Sequence, residues 1–247
     1  FIRVVRGFLR EGDQIIIRFG DPRQGSPGMR MQTFCESTFE FKVLVDAFAT
    51  YEFTELPKSP EIAIVPDVPS MWKAVLPTLR RAGESFRLCL KGEDKWGNPS
   101  DKCDHTLMLR ANAPIDRLPK TVRIEPGSFS CVLDDLCGEQ PGDYFVDILD
   151  QSGMLLARSN HLRVVAESPL VHYWGDLHGQ SEETIGTNSA REFFAFARDK
   201  AFLDPCSHQG NDFQITTPFW EHLNELSREC NYAGRLIVCV GAEWSVT

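Results

Sequence analysis

Beyond about residue 169 the sequence changes grammar, from short alternating strands to strand, helix, strand, helix, strand. A chain that reads this way is confined to a parallel sheet joined by right-handed crossovers. Leu170–Gly175, Ala201–Ser207 and Leu236–Val240 are the expected strands. The third is a continuous apolar run without alternation, as in a strand covered on both faces. Ser189-Ala190-Arg191-Glu192 has the capping-box pattern, in which Ser and Glu satisfy each other's free amides at a helix start. Ala190, Phe193, Phe194 and Ala197 then follow at helical spacing. Thr217 is the expected cap of a second helix, with Pro218 at its first position and Phe219, Leu223 and Leu226 on its inner face.

Each expected strand runs into a polar segment: Asp176-Leu177-His178, Ser207-His208-Gln209-Gly210-Asn211 and Gly241-Ala242-Glu243. His178, His208 and Glu243 are separated by 30 and 35 residues, one strand–helix unit each. Parallel strands set such positions side by side at one end of a sheet, where α/β enzymes build their sites. Imidazole and carboxylate are the usual ligands of zinc, manganese or iron, so convergence of the three would make a Lewis-acid centre. Glu182 and Glu183 follow the first segment in a loop at the same end. Gln209, Asn211 and Asp212 lie in the loop Gln209–Phe213 after the second strand, whose amides and Phe213 suit substrate contact. His105, His161, His172 and His222 fall outside the constellation.

Residues before this region read as all-β. Phe1–Leu9, Gln14–Phe19, Thr38–Val45 and Glu61–Val65 are strand-like, and turns such as Gly20-Asp21-Pro22 punctuate them. A second set runs from Phe86–Lys91 through His105–Leu109, Thr121–Ile124, Tyr144–Leu149 and Leu155–Ala157 to His161–Val165. This spacing predicts two β-sandwich modules, over 1–80 and 81–166, with Ser70–Arg81 as a linker or short helix.

A net charge of −9 and a pI near 5.2 argue against a nucleic-acid backbone or an anionic membrane as partner. No apolar run reaches the eighteen or so residues of a membrane helix. None of the eight cysteines forms a Cys-x-x-Cys pair, which argues against a structural zinc site. Cys89, Cys206 and Cys239 sit in apolar runs, as buried free thiols do. This usage points to a cytoplasmic setting, although a bridge between Cys131 and Cys137 and an exported chain both stay open.

The phrasing of the three segments resembles a family. Tyr173 to Ser181, with Gly175-Asp176-Leu177-His178 at its centre, looks like the first motif of the PHP (polymerase and histidinol phosphatase) superfamily. Cys206-Ser207-His208 resembles its second motif and Gly241-Ala242-Glu243 its third. Within it, a PHP-like family known only as a domain of unknown function is the nearest in phrasing. The resemblance implies a multidomain chain: Ig-like β-sandwich modules, then the first βαβαβ part of a PHP-like (β/α)7 barrel over 167–247. The rest of that barrel would lie beyond Thr247. It also implies two or three divalent metals and hydrolysis of a small-molecule substrate by metal-activated water, with phosphoesters as the leading class. By the same resemblance His178, His208 and Glu243 become metal ligands and Asp176 a group that orients them. Gln180 stands where a second histidine belongs, as a weaker neutral ligand, and Ser207 replaces an aspartate. Those departures leave open hydrolysis of an amide or lactone, or a degenerate barrel acting as a binding or scaffold module.

Overall fold

A computed structural model describes residues 2–245 of the chain. They divide into two units, Phe1–Thr33 and Phe34–Thr247. In the first, residues 2–33 form turns and bends without a strand, so the expected strands Phe1–Leu9 and Gln14–Phe19 are not formed there. Alternation becomes a strand only when a second strand satisfies its backbone. Ile16 and Phe19 are left exposed.

The second unit begins with two small antiparallel pairs. Strand β1 (Glu36–Glu40) pairs with β4 (Glu61–Ile64), and β2 (Leu44–Val45) pairs with β3 (Thr54–Glu55). The segment expected as a linker, Ser70–Arg81, instead supplies β5 (Met71–Val75) and β6 (Leu79–Arg81). Pro77 lies between them and ends one strand before the next begins.

A β-sandwich follows from these strands. It adds β7 (Ser85–Glu93), β8 (His105–Ala111), β9 (Thr121–Ile124), β10 (Cys131–Cys137), β11 (Gly142–Tyr144), β12 (Val146–Leu149), β13 (Leu155–Arg158) and β14 (Leu162–Val165). Strand order is β10-β7-β5 in one sheet, β13-β12-β8-β9 in another and β11-β14-β6 in a third. Inward positions of these strands share one core: Leu88, Leu90, Leu107, Ile124, Leu136, Ile148 and Leu162 are all essentially fully buried. The core draws on Ala74 and Leu76 as well as on later strands, so it straddles residue 80.

The α/β part contains β15 (Asp176–Gly179), α1 (Ala190–Asp199), β16 (Pro205–Asn211), α2 (Thr217–Cys230) and β17 (Ile237–Glu243). Its sheet is parallel, in the order β15-β16-β17. The barrel expected from the resemblance is not formed. Among the described residues the elements are seventeen strands and two helices, with an open three-stranded sheet in place of a closed ring. The strands also end three or four residues later than expected, so the polar segments lie within them. In α1 the expected capping box is present, Ser189 accepting from the Glu192 amide and Glu192 from the Ser189 amide. The cap of α2 is Thr216, one residue before the expected Thr217.

Both helices pack on one face of the sheet. Ala190, Phe194 and Ala197 of α1 and Leu223 and Leu226 of α2 enclose Cys206 and Val238. On β17, Val238 is buried while Ile237 and Cys239 are exposed. The expectation of a strand covered on both faces is therefore corrected: among the described residues, helices cover one.

Polar contacts hold this part on the sandwich. Arg87 of β7 donates to the carbonyls of Phe202, Leu203 and Arg235 and pairs with Asp204 at 3.0 Å. Lys91 donates to the Lys200 carbonyl, Ser130 to the Asp199 carbonyl, and the Trp174 indole to the Thr78 hydroxyl. Among the described residues no helix is long and apolar enough to cross a membrane. Leu223 is fully buried between the sheet and α1. Leu223→Ala should cost about 2–5 kcal/mol of unfolding free energy, read from urea denaturation, and a loss below about 1 kcal/mol would place Leu223 outside the core.

Candidate functional site

Side-chain alternation along three parallel strands decides which residues meet. From Pro205↔Ile237 to Asn211↔Glu243 the register of β16 and β17 runs without a shift. Cys206 and Val238 lie in the helix-covered core, so their period-two companions His208, Gly210, Val240 and Ala242 share that face. Ser207, Gln209, Asn211, Cys239, Gly241 and Glu243 occupy the other face. On β15, a Cβ at Gly179 would run into the Phe193 ring of α1, which puts Gly179 toward the helices and its neighbour His178 toward the opposite face.

The structure accordingly brings together two of the three expected ligands. His178 Nε2 stands 3.5 Å from Glu243 Oε2, and both side chains are solvent-accessible. His208 is not with them. It is 1 % exposed on the helix side, with its ring edge-on to Phe193 and Phe219. Its Nε2 is 2.7 Å from the hydroxyl of Ser181, itself fully buried, and its Nδ1 is buried without a hydrogen-bond partner. Burial lowers the His208 pKa below the ordinary imidazole value, and the Glu183 carboxylate opposes that shift.

The remaining expected residues are placed as follows. Asp176 accepts from the His178 backbone amide at 2.8 Å, which fixes the strand that carries the imidazole. Gln180 accepts from the Thr184 hydroxyl at 2.7 Å. Glu183 accepts from the Ala190 amide at the start of α1, where the helix dipole favours a carboxylate. Glu182 accepts from the Thr38 hydroxyl. Gln209 donates to the Ser207 hydroxyl, and its amide lies across Gly241, where any Cβ would collide with it. Asn211 donates from Nδ2 to Gln214 Oε1 at 2.8 Å. Asp212 accepts from the Phe213 amide, while its own amide donates to the Glu243 carbonyl.

Among the described residues no three His, Cys, Asp or Glu side chains converge on one point. His178 and Glu243 nonetheless fit as part of a divalent-metal donor set, an imidazole and a carboxylate at contact range on an accessible face. All eight cysteines are free thiols, Cys131 and Cys137 included. Burial pushes Cys206 up to about 12 and Cys89 up to about 11, so neither is a nucleophile near neutral pH. Sequence reasoning passed over Ser181, Thr184 and Gln214. The signal for Ser181 was parity, because only a residue reaching the helix face can bond to His208.

No family model matches the chain. It is 21% identical over 245 residues to an uncharacterized protein of Chlamydia trachomatis serovar D and 20% identical over 245 residues to one of Chlamydia muridarum. Each match takes in 96% of this chain, which spans only 39% of the relatives' length. Solved structures with likeness include a beta-glycosidase from Bacteroides vulgatus (14% identity, TM-score 0.33, 46% of this chain and 20% of that one). The D0-D1 domain of Intimin has 9% identity, a TM-score of 0.31, and coverage of 44% and 57%. The Escherichia coli adhesin FdeC has 22% identity, a TM-score of 0.31, and coverage of 47% and 38%. Of the descriptions expected for the chain, hydrolase, PHP domain and TIM-like barrel find no support in the open three-stranded sheet, and β-sandwich is the one that fits.

Burial makes His208 harder to protonate in the folded chain than in the unfolded chain, where it takes up a proton near the ordinary value of 6.5. Its contribution to stability is present above that value and lost as pH falls through and below it. The thermal midpoint should therefore drop between pH 7.5 and 5.5, and His208→Gln should show a smaller drop. An equal drop in both proteins would mean that His208 does not carry the effect.

Proposed function

We propose that the α/β part of this chain is a divalent-cation-binding module, with His178 and Glu243 as ligands at one end of its parallel sheet. The observation that carries this reading is the 3.5 Å approach of His178 Nε2 to Glu243 Oε2, from strands that flank β16. The carboxylate supplies the charge that an isolated imidazole lacks, and Asp176 holds the backbone of His178 in place. The motif resemblance of Tyr173–Ser181 and Gly241–Glu243 supports the same pair. Zinc, manganese and iron are the metals that such donors take.

When bound, the metal would supply a water acidified toward neutral pH. Cleavage of a small-molecule phosphoester is the second reading, favoured by that water and by the motif phrasing. Binding without turnover is favoured by the placement of His208 in the core, away from the ligands. For the compartment we propose the cytoplasm, which the eight free thiols support.

Titration of the full chain with Mn²⁺ and Zn²⁺ by calorimetry should show binding that His178→Ala and Glu243→Ala each weaken by about tenfold or more. His208→Gln should retain it. Unchanged affinity in both alanine variants would overturn the ligand assignment. Metal-dependent turnover of a phosphoester panel by the loaded chain would move the reading from binding to catalysis.

A further inference from the structure

We infer that Asn211, rather than His208, provides the third protein ligand at the His178–Glu243 site, through its side-chain oxygen Oδ1. The inference rests on the cation-binding reading above and specifies the donor set. Three features of the sheet carry it.

Asn211 is the register partner of Glu243, and the register between their strands runs unbroken up to that pair. Registered residues of adjacent parallel strands lie about 4.8 Å apart and share a face, so the Asn211 and Glu243 side chains are nearest neighbours on the face that His178 also reaches. His208 sits three positions earlier and on the opposite face.

The loop after Asn211 is fastened to the same strand end. The Asp212 amide donates to the Glu243 carbonyl at 3.0 Å, and the Gln214 and Ile215 amides donate to the Asn211 carbonyl. The backbone that carries Asn211 is thereby fixed against the backbone that carries Glu243.

A chain of side-chain bonds then orients the amide. Asn211 Nδ2 donates to Gln214 Oε1, Gln214 Nε2 donates to the Thr184 carbonyl, and the Thr184 hydroxyl donates to Gln180 Oε1. With Nδ2 committed, Oδ1 is the atom that Asn211 has left for a cation. The Gln180 oxygen accepts from Thr184 within the same chain, which ties Gln180 to the network that orients Asn211.

The resulting set is one imidazole nitrogen, one carboxylate and one neutral amide oxygen. Sets rich in oxygen suit manganese and magnesium better than all-nitrogen or thiolate sets do. A carboxylate in place of the amide adds a full charge at the same position, so Asn211→Asp should tighten binding, whereas Asn211→Ala deletes the donor.

The test uses the full chain and Mn²⁺ alone, with bound metal read from loss of the free-ion electron paramagnetic resonance signal and from calorimetry. Asn211→Ala should weaken Mn²⁺ binding by about tenfold, and Asn211→Asp should bind at least as tightly as the parent. Equal thermal midpoints for the variants show that the fold is intact, and Asn211→Asp keeps the side-chain volume where Asn211→Ala does not. Binding lost in His178→Ala and Glu243→Ala but unchanged in both Asn211 variants would overturn the role of Asn211 while leaving the cation site standing. Binding weakened by His208→Gln but not by Asn211→Ala would restore His208 as the ligand. A parent chain that binds no Mn²⁺ would overturn the cation reading and this inference together.

Discussion

The arrangement of the α/β part depends on the unbroken register of β16 with β17. Seven consecutive residue pairs join β16 to β17, and each fixes both the separation and the facing of the side chains it carries. Once Cys206 is buried under the helices, every odd-numbered residue from Ser207 to Asn211 is committed to the other face. That constraint separates two kinds of chemistry along one seven-residue strand. Apolar packing and a buried Ser181–His208 pair lie on one side; Gln209, Asn211 and the partners of Glu243 lie on the other. Gly241 is part of the same bargain, because the Gln209 amide occupies the space where its side chain would be.

The sheet is stabilised from below by the sandwich. Arg87 reaches out of β7 to the Phe202 and Leu203 carbonyls and the Asp204 carboxylate, at the turn where α1 has ended and β16 is about to begin, and to the Arg235 carbonyl just before β17. A guanidinium suits this position because its planar fork meets several acceptors at once. Phe202, at a positive φ of 61° and nearly buried, shows how tightly that turn is drawn in. Fixing the start of β16 fixes its register, and through the register the position of Asn211 and Glu243. The sandwich is thus coupled to the candidate site without contributing a residue to it.

Much of this was legible in the sequence. Apolar periodicity and capping residues located both helices, and the change of grammar near residue 169 located the parallel sheet. Most strands of the sandwich from Phe86 onward fell where their alternation put them, while β10 (Cys131–Cys137) was not expected. What failed was the ends of strands and the number of them. Polar residues such as Asp176 and Gln209 read as loops because they lack β-propensity, yet the ladder to neighbouring strands outweighs propensity there. The apolar run at Leu236–Val240 pointed to cover on both faces, and tertiary context supplies one. The strands expected near Ile16 have suitable residues, but residues 2–33 give them no ladder.

The misplacement of His208 follows from the first of these errors and shows why it mattered. A strand ending at Ser207 would leave His208 in a loop, free to turn toward His178. A strand running to Asn211 removes that freedom, since a residue inside a paired strand has only two directions available. The imidazole then serves the packing between β16 and the helices: its ring fills the space between Phe193 and Phe219, and Ser181 satisfies one of its nitrogens. Its unpartnered Nδ1 carries a desolvation cost of about 1–3 kcal/mol, which the surrounding aromatic contacts must offset. A histidine held at that cost serves the packing of this fold, while His178, Asn211 and Glu243 lie toward the opposite face of the sheet.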